Sequence, residues 1–224
     1  MKFVKILTLA AFGLSVASCI ERDNNYNSNP NNNPNNNYPR NYADSSFSYN
    51  EEFNGRDNNL WTYTDVADSA YASVTDSGYQ YVDYSAVKSA MTTVYTGVNV
   101  ADNFTITTRI KSNNMIGLIF GASATSNGYA FYIDTAGNYS IYQEGTGSTA
   151  STAMVPSTQD TLYALKKNWN TLVVQQNNGS WIFSINGTQV TSMSARALSG
   201  NAFGFKILPG TIGYASYLKI QGYN

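Results

Sequence analysis

Histidine is absent from this 224-residue chain, and cysteine occurs once, at Cys19. A Ser-His-Asp or Cys-His nucleophile, a zinc site built on His or Cys, and an internal disulfide are therefore excluded. Charged residues are also scarce, at 12%, and the formal net charge is −1. Because nothing in this balance attracts a phosphate backbone, we expect no nucleic-acid partner.

Segments with the hydrophobic period of a helix are also lacking, whereas short runs rich in Tyr, Thr, Val and Ile alternate with turn residues. Such runs are typical of strands. The predicted strands are residues 47–53, 61–64, 71–74, 79–84, 91–98, 104–111, 115–122, 129–134, 139–144, the meander 168–190, 202–208 and 214–221. About a dozen short strands without helices predict an all-β sandwich or barrel with one core.

The meander contains two Asn-Gly pairs between alternating apolar residues, which is a strong hairpin signal. A type I′ turn at Asn178 and Gly179 gives the pairs Gln176 with Trp181, Val174 with Phe183, and Leu172 with Ile185. A second turn at Asn186 and Gly187 brings Val190 opposite Phe183. The large apolar residues other than Val173 and Ile182 then share one buried face, and Trp181 and Trp169 are predicted to pack in the core or at strand ends.

Residues 129–144 predict another hairpin, closed by the three-residue loop 135–137 with Gly137 in the left-handed conformation. This register gives the pairs Ile133 with Tyr139, Phe131 with Ile141, and Tyr129 with Gln143. The opposite face of the hairpin then carries Tyr132, Asp134, Ser140, Tyr142 and Glu144.

The first nineteen residues have two lysines, an apolar run too short for a comfortable membrane span, and Val-Ala-Ser-Cys at the end. This ending resembles the lipobox of bacterial lipoproteins, so residues 1–18 are predicted to be a signal peptide and Cys19 to carry lipid. Residues 19–45 are rich in Asn and Pro and predict a flexible tether to a domain at 46–224. Glu21 and Asp23 resemble the surface-export signal of Bacteroidota lipoproteins, and we expect a lipid-anchored protein of the bacterial outer membrane, displayed at the cell surface.

The succession FTITTRIK, GLIFGA, NGYAFYIDTAGNYSIY, WNTLVV, WIFSINGTQV and GNAFGFKILPGT, ending in LKI, resembles the concanavalin A-like lectin/glucanase family. It is most similar to the laminin G-like and 3-keto-disaccharide hydrolase-like domains. The resemblance spans residues 47–220 and implies a two-sheet antiparallel jelly-roll sandwich with one concave sheet that commonly binds carbohydrate. Members include glycosidases, lectins and carbohydrate-binding modules, so the resemblance specifies fold better than function.

Catalysis by such a domain requires paired carboxylates. The glucanases of the family carry Glu-x-Asp-x-x-Glu, and no Glu of this chain lies in that frame. A hydrolase would have to use Asp134 with Glu144, or one of them with a loop residue such as Asp102.

Calcium is the cofactor that the resemblance suggests, through oxygen ligands near the sheet ends. Ser216 and Tyr217 stand where many relatives have an Asp, and Glu51 and Glu52 are predicted to solvate the first strand. We therefore expect no cofactor, with calcium as the alternative.

Carbohydrate binding has more support, because sugars stack on aromatic rings and bond to planar polar groups. The predicted ligand-binding residues are Tyr132, Asp134, Asn138, Ser140, Tyr142 and Glu144. We expect a membrane-tethered lectin-like protein without catalysis that binds a glycan or polysaccharide. A divergent glycoside hydrolase and an adhesive protein that binds another protein remain the alternatives.

Overall fold

A computed structural model describes residues 47–54, 61–66, 69–99, 101–146, 149–161, 165 and 168–223. The predicted signal peptide, the predicted lipidation residue Cys19 and the predicted tether lie outside these residues. The described residues form fifteen strands and no α-helix: β1 Ser48–Glu51, β2 Tyr63–Asp65, β3 Ala70–Thr75, β4 Gly78–Asp83, β5 Ala90–Tyr95, β6 Asn103–Ser112, β7 Met115–Ala122, β8 Tyr129–Asp134, β9 Asn138–Gln143, β10 Thr152–Gln159, β11 Asn170–Asn177, β12 Ser180–Ile185, β13 Thr188–Ser194, β14 Ala202–Ile207 and β15 Ile212–Tyr223. A search of the described part for a helix able to cross a bilayer found none.

The strands form two antiparallel sheets. The nine-stranded sheet has the order β13-β12-β11-β6-β15-β4-β3-β2, with β1 also paired to β15. The six-stranded sheet has the order β10-β9-β8-β7-β14-β5. The predicted all-β, two-sheet antiparallel sandwich is confirmed.

The core lies between the inner faces of the two sheets. Alternate residues of each strand face it, as the two-residue period of a strand requires. Its largest buried side chains are aromatic, among them Trp61, Trp181, Phe131, Phe183 and Phe205. The predicted burial of Trp181 is confirmed, while Trp169 is half-buried just before β11.

All three predicted hairpin turns are present, and in the second turn of the meander Asn186 and Gly187 have φ values of 49° and 84°. Asn178 and Gly179 have φ values of 47° and 76°, and Gly137 has a φ of 89°. The predicted pairs of Gln176, Val174 and Leu172 with β12 are all present, as are those of Tyr129, Phe131 and Ile133 with β9.

One expected strand pairing was wrong, and one strand was not predicted. Phe183 lies opposite Thr191 rather than Val190. Strand β13 has a bulge opposite the step from Phe183 to Ser184 of β12, and Val190 is its extra residue. Strand β10 was not predicted, since its sequence TAMVPSTQ lacks alternation and contains Pro156. Proline is tolerated there because β10 is an edge strand whose register shifts twice along β9.

Candidate functional site

The outer face of the six-stranded sheet carries most of the predicted site residues. Cross-strand pairing sets Met91, Lys206, Gly117, Tyr132 and Ser140 in one row across β5, β14, β7, β8 and β9. The next row contains Thr93, Gly204, Ile119, Ala130 and Tyr142. Five glycine and alanine residues form the floor of this face: Gly117, Gly204, Ala122, Ala130 and Ala202.

The polar centre of the face is the carboxylate of Glu144, which directly follows β9. The Tyr132 hydroxyl donates to its Oε1 at 2.7 Å, and the Ser151 hydroxyl donates to its Oε2 at 2.9 Å. The Lys206 ammonium forms an ion pair with the same Oε2. The Glu144 side chain is 2% exposed and the Lys206 side chain 16% exposed, so this is a nearly buried charge pair with hydrogen-bonding partners on both carboxylate oxygens.

The Tyr132 ring is buried against Gly117 and does not project into solvent. A Cβ placed on Gly117 would come within 2.5 Å of the Tyr132 ring, so only glycine leaves room for the ring at that position. Burial, together with the negative charge of Glu144, raises the pKa of the Tyr132 hydroxyl well above its ordinary value. This hydroxyl therefore stays protonated and donates to the carboxylate.

Tyr142 is the accessible aromatic residue of the predicted set. Its ring meets the Tyr132 ring edge to face, with centroids 5.9 Å apart, and is half-buried. Met91 and Met115 are half-buried and pack on the same apolar cluster. Tyr142 therefore presents an aromatic surface held in place by a buried neighbour.

Asp134 and Asn138 lie at the loop between β8 and β9. The Asn138 backbone N–H donates to Asp134 Oδ1 at 2.8 Å, and the Asn138 side-chain amide donates to Oδ2 at 2.9 Å. Asp134 also lines a cleft of about 450 Å³ at this end of the sandwich, with Lys111, Asn168 and Asn170 on the other wall. The structure thus divides the six predicted residues between the outer face and the rim of this cleft.

The two carboxylates proposed for hydrolysis do not meet. Asp134 lies level with Asn138, and Glu144 follows six residues later along β9, which separates their backbone positions by about 20 Å. Paired glycosidase carboxylates lie roughly 5 to 9.5 Å apart. Asp102 precedes β6 in the other sheet, where it accepts a hydrogen bond from Asn99 at 2.8 Å.

Comparison with solved structures found proteins that are similar to this chain at low sequence identity. A carbohydrate-binding module, CBM66 from Bacillus subtilis, aligns over 67% of this chain and 91% of its own, with a TM-score of 0.50 and 12% identity. The protein has the concanavalin A-like jelly-roll fold. A β-glucanase from Bacillus licheniformis aligns over 81% of this chain and 100% of its own (TM-score 0.49, 9% identity). A galectin from Caenorhabditis elegans aligns over 58% of this chain and 90% of its own, with a TM-score of 0.40 and 10% identity. No family model and no curated protein matches the sequence.

Calcium binding near the first strand was the alternative to having no cofactor, and the acidic residues there are Glu51 and Glu52. Glu51 Oε1 accepts a hydrogen bond from the Phe53 backbone N–H at 3.0 Å, and Glu52 forms an ion pair with Lys219 at 2.7 Å. Both acids thus have protein partners, and the described residues contain no group of three or more His, Cys, Asp or Glu side chains able to hold a metal.

Lys206 is the site residue that the sequence reasoning missed. It is the single charged residue of the strand AFGFKI, and alternation with Phe205 and Ile207 sends it to the outer face. This isolated charge was a readable signal. Its partner Glu144 is 62 residues away in sequence, and only the sheet order brings the two together.

Proposed function

We propose that this protein is a carbohydrate-binding lipoprotein that holds its ligand on the outer face of the six-stranded sheet and does not hydrolyse it. The observation that carries the proposal is the buried Glu144–Lys206 pair, which fixes Tyr132 beneath the accessible ring of Tyr142. A rigid aromatic surface beside fixed polar groups is what stacking and hydroxyl recognition of a sugar require.

The same observation argues against catalysis by Glu144. Its two oxygens accept from Tyr132 and Ser151 and pair with Lys206, and Asp134 lies too far along the hairpin to act with it. A general acid or nucleophile needs an open carboxyl group next to the scissile bond. Glu144 instead acts as a positioning residue for Tyr132.

The half-buried side chains suggest how a glycan would lie. Tyr142, Met91 and Met115 offer apolar contact to the C–H face of a sugar ring. Lys206, whose side chain is 16% exposed, lies beside Met91 as a polar neighbour of that surface. At the end of the same hairpin, Asp134 and Asn138 extend the polar surface. The neighbour CBM66 is itself described as a carbohydrate-binding module, which is consistent with this use of the fold.

Membrane attachment is the second half of the proposal and rests on the sequence. The lipobox-like Val16-Ala17-Ser18-Cys19 would place two or more acyl chains on Cys19, and residues 20–45 would hold the domain away from the lipid. We propose the bacterial outer membrane, with the domain at the cell surface. Radiolabelled palmitate incorporated by the wild-type chain, and absent from Cys19→Ser, would support this part; equal labelling would contradict it.

A glycan-array screen of the full chain carrying Cys19→Ser, with and without calcium, tests the binding half. We expect a hit that Tyr142→Ala abolishes and that Tyr132→Phe weakens, since Tyr132→Phe loses only the hydrogen bond to Glu144. Tyr84→Ala, which removes an exposed tyrosine directly after β4 of the other sheet, is the matched control and should leave binding unchanged. No hit among plant, host and bacterial glycans would overturn the proposal and favour a protein partner.

A further inference from the structure

The outer face of the nine-stranded sheet carries a set of cations against aromatic rings that the proposed function does not use. We call Arg109, Lys111, Trp169 and Tyr214 the cationic strip. Arg109 and Lys111 are two residues apart on β6 and point to the same side, and Tyr214 of β15 lies directly opposite Lys111. Trp169 immediately precedes β11, the other neighbour of β6.

Both cations lie over the ring of Trp169. The Arg109 guanidinium carbon is 5.2 Å from the ring centroid, and the Lys111 ammonium is 4.7 Å from it. Lys111 is also 4.7 Å from the centroid of Tyr214, so its charge lies against two rings. Cation–π contact holds these side chains in position without neutralising their charge.

No carboxylate of the described residues forms an ion pair with Arg109 or Lys111. Among the described residues, the only ion pair on this face joins Lys219 to Glu52, and Arg109 and Lys111 have none. Two unpaired positive charges around one ring repel each other, and an anion placed between them would relieve this repulsion. The strip therefore favours a negatively charged ligand.

Lys111 also connects the strip to the cleft of about 450 Å³ at the end of β6. Asn168, Asn170 and Asp134 are among the residues that line that cleft, and Ser112 and Thr135 are hydroxyl-bearing residues of the same lining. Amides, hydroxyls and a carboxylate are groups that hydrogen-bond pairs of sugar hydroxyls, and the volume is in the range of small-ligand sites. A polyhydroxylated ligand with an acidic group fits both the cleft and the strip.

We propose that the cationic strip and the adjoining cleft form a second binding site, for an acidic polysaccharide. A sugar ring in the cleft bonds to Asn168 and Asp134, and its carboxylate or sulfate group meets Lys111. The next acidic unit meets Arg109 beside Trp169. The cations of this site lie on the opposite sheet from Tyr142, and its cleft shares only Asp134 with the proposed function, so variants of Lys111 and of Tyr142 test the two sites separately.

The test uses the full chain carrying Cys19→Ser, with polygalacturonate and heparin as the uronate and sulfate probes and dextran as the neutral one. Trp61 and Trp181 are fully buried, so quenching of tryptophan fluorescence by iodide reports chiefly on half-buried Trp169. We expect an acidic probe to protect Trp169 from iodide and to bind more weakly as salt is raised, while dextran has no effect.

Variants separate the site from general charge attraction. Lys111→Gln should weaken binding of the acidic probe about tenfold. This factor is at the lower end of the range expected for the loss of a hydrogen bond to a charged group. Lys219→Gln removes the same charge from the same face, but at a lysine already paired with Glu52, and should change binding less than about twofold. Tyr142→Ala should leave this binding intact.

The outcomes are distinct. Protection by polygalacturonate alone identifies uronates as the source of the anion, and protection by heparin alone identifies sulfated glycans; both support the site. Equal losses of affinity in Lys111→Gln and Lys219→Gln would overturn the proposed site. It would also be overturned if the protein bound vesicles containing phosphatidylglycerol but neither acidic glycan. Absence of protection by every probe at low salt would overturn it as well.

Discussion

Replacing Lys206 with methionine is the sharpest test of how the outer face is built. The substitution keeps the length and apolar stem of the side chain but removes the charge that faces Glu144. The Glu144 carboxylate, with its side chain 2% exposed, then remains buried with only the hydroxyls of Tyr132 and Ser151. Removing one partner of a buried pair costs about 3 to 5 kcal/mol, because the other charge is left uncompensated.

The lower end of that range applies here, since 16% of the Lys206 side chain reaches solvent and the pair is partly screened. We expect Lys206→Met to lower the free energy of unfolding by about 3 kcal/mol, measured by urea denaturation at neutral pH. For a domain of this size the midpoint of thermal unfolding should fall by roughly 6 to 12 °C. Adding Glu144→Gln removes the stranded charge and should restore more than half of the loss.

Lys219→Met is the matched control. It breaks the ion pair with Glu52, in which both side chains are 45% exposed, and exposed pairs contribute less than about 1 kcal/mol. The reasoning is refuted if Lys206→Met costs no more than this control, or if the double variant is less stable than Lys206→Met alone.

Three further predictions concern glycines and a tyrosine. Gly117→Ala should displace the Tyr132 ring, because the added Cβ would lie 2.5 Å from it. We expect the free energy of unfolding, measured by urea titration, to fall by about 1 to 3 kcal/mol and glycan binding to weaken. An unchanged glycan affinity would contradict the role of Tyr132. The added Cβ of Gly179→Ala meets no atom within 4 Å, but the alanine must adopt a φ of 76°. We expect thermal denaturation to show a loss of about 1 kcal/mol of stability from backbone strain alone. An unchanged stability would show that the turn relaxes. Burial raises the pKa of Tyr49 to about 12. The pKa of a tyrosine in the unfolded chain is about 10. The neutral hydroxyl therefore contributes roughly 2 to 3 kcal/mol of stability below pH 10, and this contribution should be lost as the pH rises through 12. Tyr49→Phe should make the alkaline decline in the free energy of unfolding less steep.

The register of the hairpins could be predicted because it is a local property. Asn178 and Gly179 adopt the positive φ values of a type I′ turn, and such a turn leaves one register for β11 and β12. Alternation on both strands then decides which side chains are buried. The same reasoning placed Gly137 and the β8–β9 pairs correctly.

The bulge on the neighbouring strand could not be predicted in the same way. It inserts Val190 between two correctly alternating stretches of β13, and nothing in the local sequence distinguishes it from a regular strand residue. Strand β10 was missed for a related reason. Its pairing with β9 comes from the position of the edge, not from its own propensity, which Pro156 lowers.

The candidate site was predictable only in part. The face shared by Tyr132, Tyr142 and Glu144 follows from strand period and turn length, so the sequence was sufficient to group them. Lys206 and the cleft depend on sheet order, which brings distant segments together. Burial also changes the roles: Tyr132, predicted to stack on sugar, is 4% exposed and supports Tyr142 instead.

The most direct test of the central claim is the glycan-array screen of the full Cys19→Ser chain, run in parallel with Tyr142→Ala and the control Tyr84→Ala. Our account predicts at least one glycan that the parent chain and Tyr84→Ala bind equally and that Tyr142→Ala does not bind. Neutral glycans held equally by all three chains would contradict the placement of the site on the outer face of the six-stranded sheet. Acidic glycans are left out of this comparison, because the cationic strip would bind them in all three chains. If no glycan bound at all, carbohydrate binding itself would be contradicted.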